Sequence, residues 1–484
     1  MRRSIGLLIA VVLFSGVACR KAAEAPKKIP ITTSSAEAQA AYLKARGLVE
    51  NMRVAEARPL LDEAISKDPN FALAHLLRAQ TASSTDSFLN DLKAAVAAAG
   101  KASEGEQLLI RAQETYINGD NKARGEYLTK LVAAYPNDER AHWFFGINQY
   151  SLRQYDSAIA EFQKAIQLAP DYAPAHNQLG YAYREVEKYP EAEAAFRKYA
   201  QLIPNEPNPH DSLAELLLKM GRFSESTASY QKALSLDAGF INAYLGIAAN
   251  LMYQEKHKEA LDQLQKGFEA ARDDGERQRM LRAMAVANLD EGKPLAALAA
   301  LTKESALAEQ IGDKAAMSQV TFARGELLVD TGKAAEAKTE FAKSLELLQQ
   351  SAVPERRKEI VELYYHGGLA LVAAVKKDFA DAAKEAEAMR AGIETMGNPN
   401  DVRRAHEVLG IVALRQMKYD DAITHLNQAD LSSPYTMFQL AKAYAGKKDA
   451  ENAKAHYQKA ATAYTLPELR YAMVRHAALK AAGK

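Results

Sequence analysis

The 484-residue sequence has few of the residues that form covalent or metal cross-links and few that break helices. Its single cysteine is Cys19, so a disulfide within the chain and a structural zinc site built on cysteine are both excluded. Glycine and proline number only 25 and 16, while alanine, leucine, glutamate, lysine and glutamine are abundant. This composition favours helix almost throughout, and no stretch has the alternation and turns of a β-hairpin.

An excess of charge of either sign is also missing. The chain has 62 Lys+Arg against 61 Asp+Glu, with no long run of one sign. A near-neutral chain offers no electrostatic footprint for nucleic acid, so we expect no nucleic-acid partner. The 48% of hydrophobic and 25% of charged residues are ordinary for a soluble protein with a large core.

The first nineteen residues have the layout of a signal peptide, which we predict to comprise residues 1–18. Arg2 and Arg3 precede an apolar run over residues 5–14 and then small residues. The run is shorter than the roughly 20 residues that a membrane span needs. The segment resembles a bacterial lipoprotein lipobox, with Cys19 as the lipidation site, although Gly16 stands where an aliphatic residue is usual. The alternative is an ordinary secretory signal with a chance cysteine.

The lipoprotein resemblance implies a location in the cell envelope. An acylated Cys19 would anchor the chain to a membrane without crossing it. Arg20 follows the cysteine, where Asp would signal retention in the inner membrane, so we expect outer-membrane anchoring with the chain facing the periplasm. Residues 19–34 have no periodic apolar face and are predicted to be a flexible tether.

The middle of the chain repeats itself at an interval of 34 residues. Four signature residues recur at this step: Gly146 as Gly180, Ala158 as Ala192, Phe162 as Phe196, and Pro170 as Pro204. The spacing and the residue types resemble the tetratricopeptide repeat (TPR), a helix–turn–helix unit. The resemblance implies an all-α fold, a right-handed α-solenoid of stacked helix pairs that share one continuous core.

Each signature residue has a physical role in such a unit. The small residues Gly146 and Ala158, at repeat positions 8 and 20, allow the two helices to approach closely, and Phe162, at position 24, is expected to fill the space between one unit and the next. Pro170 lacks an N–H and ends the second helix. No unit can bury its apolar face alone, so several must stack.

The repeat predicts how the chain is divided. Residues 35–272 are predicted to form a TPR solenoid of 34-residue units, and residues 273–484 a TPR-like solenoid with longer units and a C-terminal capping helix over residues 466–482. In the second part Gly292 and Gly332 match at 40 residues, and longer helices or longer loops would both explain that spacing. Residues 70–135 and 351–400 match the repeat poorly and are interpreted as degenerate units.

Histidine is concentrated at repeat position 4. Five of the ten histidines lie there: His75, His142, His176, His210 and His406. A ladder of metal ligands is one interpretation. The other is ring packing between the two helices of a pair, which we favour because rings about 10 Å apart cannot share one metal at bond lengths of about 2 Å. We therefore expect no metal and no cofactor.

No pattern in the sequence indicates an enzyme. The chain has no G-x-S-x-G, phosphate-binding glycine loop or H-E-x-x-H, and no non-repetitive stretch long enough for a catalytic domain. The TPR resemblance implies instead that the first helices line a concave groove. The predicted partner-binding residues are Arg140, Trp143, Tyr150, Asn177, Tyr181, Arg184, Glu215 and Lys219.

These residues suggest a protein or peptide partner, because aromatic and arginine side chains dominate binding interfaces. The predicted function is a membrane-anchored, periplasm-facing scaffold that holds a peptide segment or a protein subunit in its groove. The alternative is a glycan- or nutrient-binding outer-membrane lipoprotein on a TPR base, although the short predicted loops count against it.

Overall fold

The computed structural model describes residues 28–51 and 53–483, and in these ranges the protein is helical with no β-strand. Cys19 and the predicted signal peptide lie outside the described residues. None of the described helices combines the length and apolar character needed to cross a membrane.

The helices follow one another as antiparallel pairs. The first seven pairs are α1 (Ala36–Glu50) and α2 (Val54–Lys67), α3 (Ala72–Ala79) and α4 (Thr85–Ala98), α5 (Glu104–Ile117) and α6 (Asn121–Ala134), α7 (Glu139–Ser151) and α8 (Tyr155–Leu168), α9 (Ala173–Glu185) and α10 (Tyr189–Leu202), α11 (Asn208–Lys219) and α12 (Phe223–Leu236), and α13 (Ile241–Tyr253) and α14 (His257–Ala270). A 3-10 turn, Ala99–Lys101, extends α4. Residues 70–135 are thus helix pairs, although they match the repeat poorly.

The remaining pairs are longer until the last two. They are α15 (Asp274–Asp290) and α16 (Pro294–Gln310), α17 (Lys314–Asp330) and α18 (Ala334–Gln349), α19 (Glu355–Lys376) and α20 (Phe379–Met396), α21 (Pro399–Arg415) and α22 (Tyr419–Leu426), and α23 (Pro434–Gly446) and α24 (Ala450–Ala461). The helices α15 to α18 have 16 or 17 residues each, whereas the turns within their pairs stay short. Longer helices therefore produce the 40-residue period.

The turn inside most of the pairs has the same backbone conformation. The residue that lies two positions before the start of the second helix has a left-handed backbone conformation. Examples are Gly221 (φ 72°) before α12 and Gly292 (φ 78°) before α16. Arg153 (φ 62°) and Glu187 (φ 59°) adopt the same conformation without being glycine. This left-handed residue is what ends the first helix and reverses the chain.

The core of a repeat is a glycine against an aromatic ring. A Cβ on Gly146 would lie 2.5 Å from Cε1 of Phe162, and one on Gly180 would lie 2.6 Å from Cε1 of Phe196. Both rings are completely buried. The ring at repeat position 24 therefore lies directly on position 8 of its own pair, besides sharing a cluster with Leu179 of the next pair.

The row of pairs curves until units distant in sequence touch. The guanidinium of Arg53, beside α2, lies 3.3 Å from Glu206, beside α11. The backbone N–H of Thr85 donates to Asp313 at 2.8 Å. Arg153 and Asp430 form an ion pair at 2.5 Å. The pairs therefore enclose a central hollow, which we call the groove.

The residues just before α1 are docked on the solenoid, which corrects the end of the predicted tether. The backbone N–H groups of Ile29, Thr32 and Ser34 donate to the carboxylates of Asp138, Glu106 and Asp68 at 2.7–2.8 Å. These carboxylates are buried and need donors. Within the predicted tether of 19–34, residues 28–34 are therefore held against three helix pairs.

The chain ends with two short helices, α25 (Leu469–Ala472) and α26 (Arg475–Ala481). As predicted, a terminal helix caps the last pair, because α26 packs on α24. The expected single helix over 466–482 is corrected in its bounds, since the structure divides it around Met473 and Val474. We call residues 462–483 the C-terminal tail, and its first part turns inward, where α25 packs on α15, α17 and α23.

Candidate binding groove

Four of the eight predicted partner-binding residues meet at one cavity in the groove. Tyr150, Arg184, Glu215 and Lys219 line a space of about 640 Å³. They come from α7, α9 and α11, the first helices of three successive pairs. Arg140, Trp143, Asn177 and Tyr181 are not in its lining.

Arg184 is neutralised by its surroundings. Its guanidinium lies 3.0 Å from Glu215 and 2.9 Å from Glu185, and 4.7 Å from the ring centre of Tyr181. The hydroxyl of Tyr150 lies 3.4 Å from Glu185, and burial together with that carboxylate raises the pKa of Tyr150. The charge of Arg184 is therefore paired within the lining of the cavity itself.

Two cations of the cavity lack a carboxylate partner within ion-pair distance in the described part of the chain. They are Lys219 and Arg403. Burial lowers the pKa of Lys219, and burial together with the charge of Arg153 lowers the pKa of Arg403. Arg403 donates instead to Oδ1 of Asn400, which leaves Lys219 as the cation of this lining without a side-chain partner among the described residues.

The other predicted residues are packed among their neighbours. Trp143 makes edge-to-face contacts with Phe144 and Tyr172 at centroid distances of 4.9 and 6.4 Å. The guanidinium of Arg140 lies 5.6 Å from the ring centre of Phe144. Tyr181 donates to Ser212 at 3.2 Å.

Three of these packed side chains keep a buried polar atom without a hydrogen-bond partner among the described residues. The atoms are Nε of Arg140, Nε1 of Trp143 and Oδ1 of Asn177. These atoms are enclosed by the protein and are not open to a ligand in this structure. The four residues outside the cavity are therefore packed among their neighbours and form no binding surface with it.

The C-terminal tail fills the middle of the groove with aromatic contacts. The ring of Tyr464 lies 5.0 Å from that of Phe223 and 5.2 Å from that of Tyr253, both edge to face. The hydroxyl of Tyr253 donates to the backbone carbonyl of Thr465 at 2.7 Å. Such contacts hold both the side chains and the backbone of the tail.

An arginine of the tail enters an acidic pocket. The guanidinium of Arg470 lies 2.5 Å from Glu407 and 3.7 Å from Glu326, and 4.1 Å from the ring centre of Tyr435. Burial would raise the pKa of Glu407, but the nearby Arg470 and Arg404 outweigh it and lower that pKa to about 2. Glu407 is therefore ionised and paired at neutral pH.

A second arginine of the tail enters a second acidic pocket. Arg475 contacts Asp290 at 2.6 Å and Glu255 at 2.8 Å. His257 also contacts Asp290, at 2.9 Å. The tail thus joins two acidic pockets of the solenoid through two arginines five residues apart in sequence, and the pocket of Glu407 lines the cavity of the groove.

The tail divides the hollow into two spaces. Leu466, Glu468 and Arg470 line the first cavity of about 640 Å³ and also a second of about 620 Å³. Sequence reasoning missed this arrangement because the partners of the tail are up to 223 positions away. The available signal was a terminal segment with arginine beside tyrosine, residue types common in interfaces.

Three of the five histidines at repeat position 4 contact the loop that precedes their helix, whereas Nδ1 of His406 lies 3.1 Å from Nδ1 of His425. Nε2 of His75, His142 and His176 lies 2.8–3.0 Å from the carbonyl oxygen of the proline six residues earlier. Burial lowers the pKa of His142, but its contacts with Glu161 and that carbonyl outweigh burial and raise the pKa. These rings have local structural partners, as the packing interpretation implies.

A group of possible metal donors lies elsewhere, where the tail meets α14. One ligand atom from each of Glu255, His257 and His476 lies within 4.8 Å of the others. Arg475 already pairs with Glu255 there, so a cation would compete with a guanidinium for that carboxylate. The residues come from distant parts of the chain, and their spacing gave no signal.

Comparison with known proteins gives repeat-family matches in two regions of the chain. Residues 149–186 match the family model described as TPR repeat. Residues 173–206, 210–240 and 434–464 match the model described as tetratricopeptide repeat. These stretches are therefore tetratricopeptide repeats. No curated protein matches the sequence.

Several solved structures are similar to part of the chain. A crystal structure of MamA is 22% identical, covers 33% of this chain and 93% of its own, and has a TM-score of 0.29. YrrB, described as a TPR protein with an unusual peptide-binding site, is 22% identical, with coverages of 38% and 93% and a TM-score of 0.26. MamA 41-end from Desulfovibrio magneticus RS-1 is 19% identical, with coverages of 35% and 96% and a TM-score of 0.30.

Proposed function

We propose that the protein is a non-enzymatic scaffold that binds an extended peptide segment or a protein subunit in its groove. The observation that carries the proposal is the C-terminal tail, a peptide segment already held there by side-chain contacts. Tyr464, Arg470 and Arg475 each enter a distinct pocket of the solenoid. A surface with separate aromatic and acidic pockets suits sequence-selective recognition of a chain segment.

We further propose that Cys19 is acylated and that the solenoid faces the periplasm from the outer membrane. The support is the sequence of the first nineteen residues.

Replacing the cysteine tests the anchor. Cys19→Ser should move the protein from the membrane to the soluble fraction of lysed cells, because the residue that carries the acyl anchor would be lost. Ser4→Ala, within the same signal segment, is the control and should leave the protein with the membranes. A Cys19→Ser protein that still sediments with membranes would refute the lipid anchor.

Site-specific crosslinking tests the groove. A photo-crosslinking amino acid in place of Lys219, which lines the cavity, should join the protein to a discrete partner in intact cells. The matched control is the same amino acid in place of Glu191, an exposed residue of α10. Crosslinks to the tail are intramolecular and leave the mass of the protein unchanged, which distinguishes them from crosslinks to a partner.

The crosslinked product decides between partner classes. A polypeptide product from position 219 that is absent from position 191 supports the scaffold. Identical products from both positions would refute a groove-bound partner. A glycan product from position 219 would favour the sugar-capture alternative.

A further inference from the structure

We propose that the C-terminal tail is an exchangeable occupant of the groove, and that the partner segment which replaces it carries two arginines next to aromatic residues, as the tail does. This inference rests on the proposed binding function and names the chemistry of the partner.

The solenoid presents two acidic pockets to the tail. Glu407 and Asp290 are the buried carboxylates at their centres, with 3% and 1% of the side chain exposed. Glu326 and Glu255 lie beside them. The tail fills each pocket with a guanidinium, the planar group that best matches a carboxylate. A basic segment with the same spacing fits this surface, and an acidic one does not.

The acidic pockets keep partners when the tail leaves. Glu407 still forms an ion pair with Arg404 and accepts a hydrogen bond from the hydroxyl of Thr436. Glu326 keeps Arg404 at 2.6 Å, and Asp290 keeps His257. No carboxylate of the pockets is left as an isolated buried charge, which would otherwise oppose release. The groove is thus built to lose and regain a basic segment.

The tail has little structure of its own. Its helices α25 and α26 contain 4 and 7 residues, too few to be stable without packing. Residues 462–468 contain no helix. The hydroxyl of Tyr471 is buried without a hydrogen-bond partner among the described residues. A partner segment that satisfies this position would fit better than the tail.

The tail must be outcompeted because it is tethered. A segment joined by a short connection acts at an effective concentration in the millimolar range. An external segment therefore binds the wild-type protein with an affinity reduced by the fraction of time that the groove is free. A substitution that weakens the binding of the tail to the groove, and leaves the groove unaltered, should raise the affinity for the external segment.

A synthetic peptide tests the exchange. The probe is a fluorescein-labelled peptide with the sequence of residues 462–478 of this chain. It is titrated into the full-length wild type, into full-length Arg470→Ala/Arg475→Ala, and into Arg390→Ala as the matched control. Arg390 makes its ion pairs within α20, with Glu387 and Glu394. Hydrogen exchange measured by mass spectrometry reports whether residues 464–475 are released.

The expected result is tighter binding after release. The double variant should lose amide protection in residues 464–475 and bind the peptide about tenfold or more tightly than wild type. Arg390→Ala should behave as wild type. A peptide with glutamate in place of both arginines should not bind. Should the tail stay protected in the double variant, Tyr464→Ser and Leu469→Ser are added to release it.

The opposite results overturn the inference. A released tail with no gain in peptide affinity, binding that persists when the peptide arginines become glutamates, or a tail that stays protected in both variants would each refute exchange. The crosslinking at Lys219 is judged separately. Peptide exchange without any partner crosslink would refute the binding function alone. A partner crosslink that does not increase in the double variant would refute exchange alone.

Discussion

Single residues of the repeat pack so tightly that one methyl group decides stability. Gly180 lies on the ring of Phe196, and a Cβ there would be 2.6–2.8 Å from three ring atoms. Phe196 is completely buried, so it has no free space to move into. In contrast, a Cβ on Gly47, in α1, would meet nothing within 4 Å. Both glycines lie within helices, but a side chain at position 180 would meet a buried ring and one at position 47 would meet open space.

Alanine at these two positions should therefore change stability in opposite directions. Gly180→Ala should lower the free energy of unfolding by about 1–2 kcal/mol, because overpacking costs about 1–3 kcal/mol and the helix gains about 0.5–1 kcal/mol. Gly47→Ala should raise it by the helix gain alone. Urea denaturation followed by circular dichroism measures both. Equal effects of the two substitutions would contradict this packing argument.

The sequence predicted which positions must be small or aromatic but not all of their contacts. A repeating Gly146 and Phe162 indicate close packing, yet the spacing does not say which neighbour the ring contacts. The ring was expected between units, and it also lies on Gly146 of its own pair. Similarly, Arg184 was placed in the groove from its repeat position. Its pairing with Glu215 depends on how far the next helix pair is rotated.

Among the elements, the C-terminal tail is the one whose position depends most on charge. Its arginine Arg470 meets Glu407, whose pKa is lowered to about 2. Of the groups that lower this pKa, Arg470 contributes most, whereas Arg404 and Thr436 stay beside Glu407 when the tail leaves. The pKa of Glu407 is therefore lower with the tail bound than without it, and the stabilisation of binding that follows is lost as the pH falls toward about 2. Acid should therefore release the tail.

A dye on the tail would report this release. In a Cys19→Ser background, Gly483→Cys provides the only thiol for labelling. Fluorescence anisotropy should fall as the pH is lowered toward about 2, because the tail gains motion. The added change Glu407→Gln should lower the anisotropy already at pH 7 and flatten its pH dependence. An unchanged pH profile in the Glu407→Gln protein would show that this carboxylate does not hold the tail.

At the level of elements, sequence periodicity predicted the helix pairs and did not predict what lies across them. The 34-residue spacing depends on local contacts, which recur in each pair. The docking of residues 28–34 depends on Asp68, Glu106 and Asp138, single acidic residues that look like ordinary helix caps in the sequence. The tail depends on carboxylates that lie in other helix pairs. Contacts of this kind leave no periodic pattern to detect.

For the whole molecule, curvature is fixed where distant pairs meet. The turn between α7 and α8 contacts the region from α21 to α23. Arg153 pairs with Asp430 at 2.5 Å, and the side-chain amide of Asn400 donates to the carbonyl of Ser151 at 3.1 Å. These residues also line the cavity of the groove. The contact therefore closes the hollow on the side of the predicted binding residues.

Breaking this contact should open the molecule more than it destabilises it. Both ionic side chains are about one-third exposed, so Arg153→Ala/Asn400→Ala should lower the free energy of unfolding by only about 1 kcal/mol. The radius of gyration from small-angle X-ray scattering should nevertheless rise, because each helix pair is held chiefly by its neighbours. Arg390→Ala breaks ion pairs within one helix and should leave the radius unchanged. If the double variant keeps the wild-type radius, nearest-neighbour packing alone sets the curvature, and access to the groove is controlled by the tail rather than by this contact.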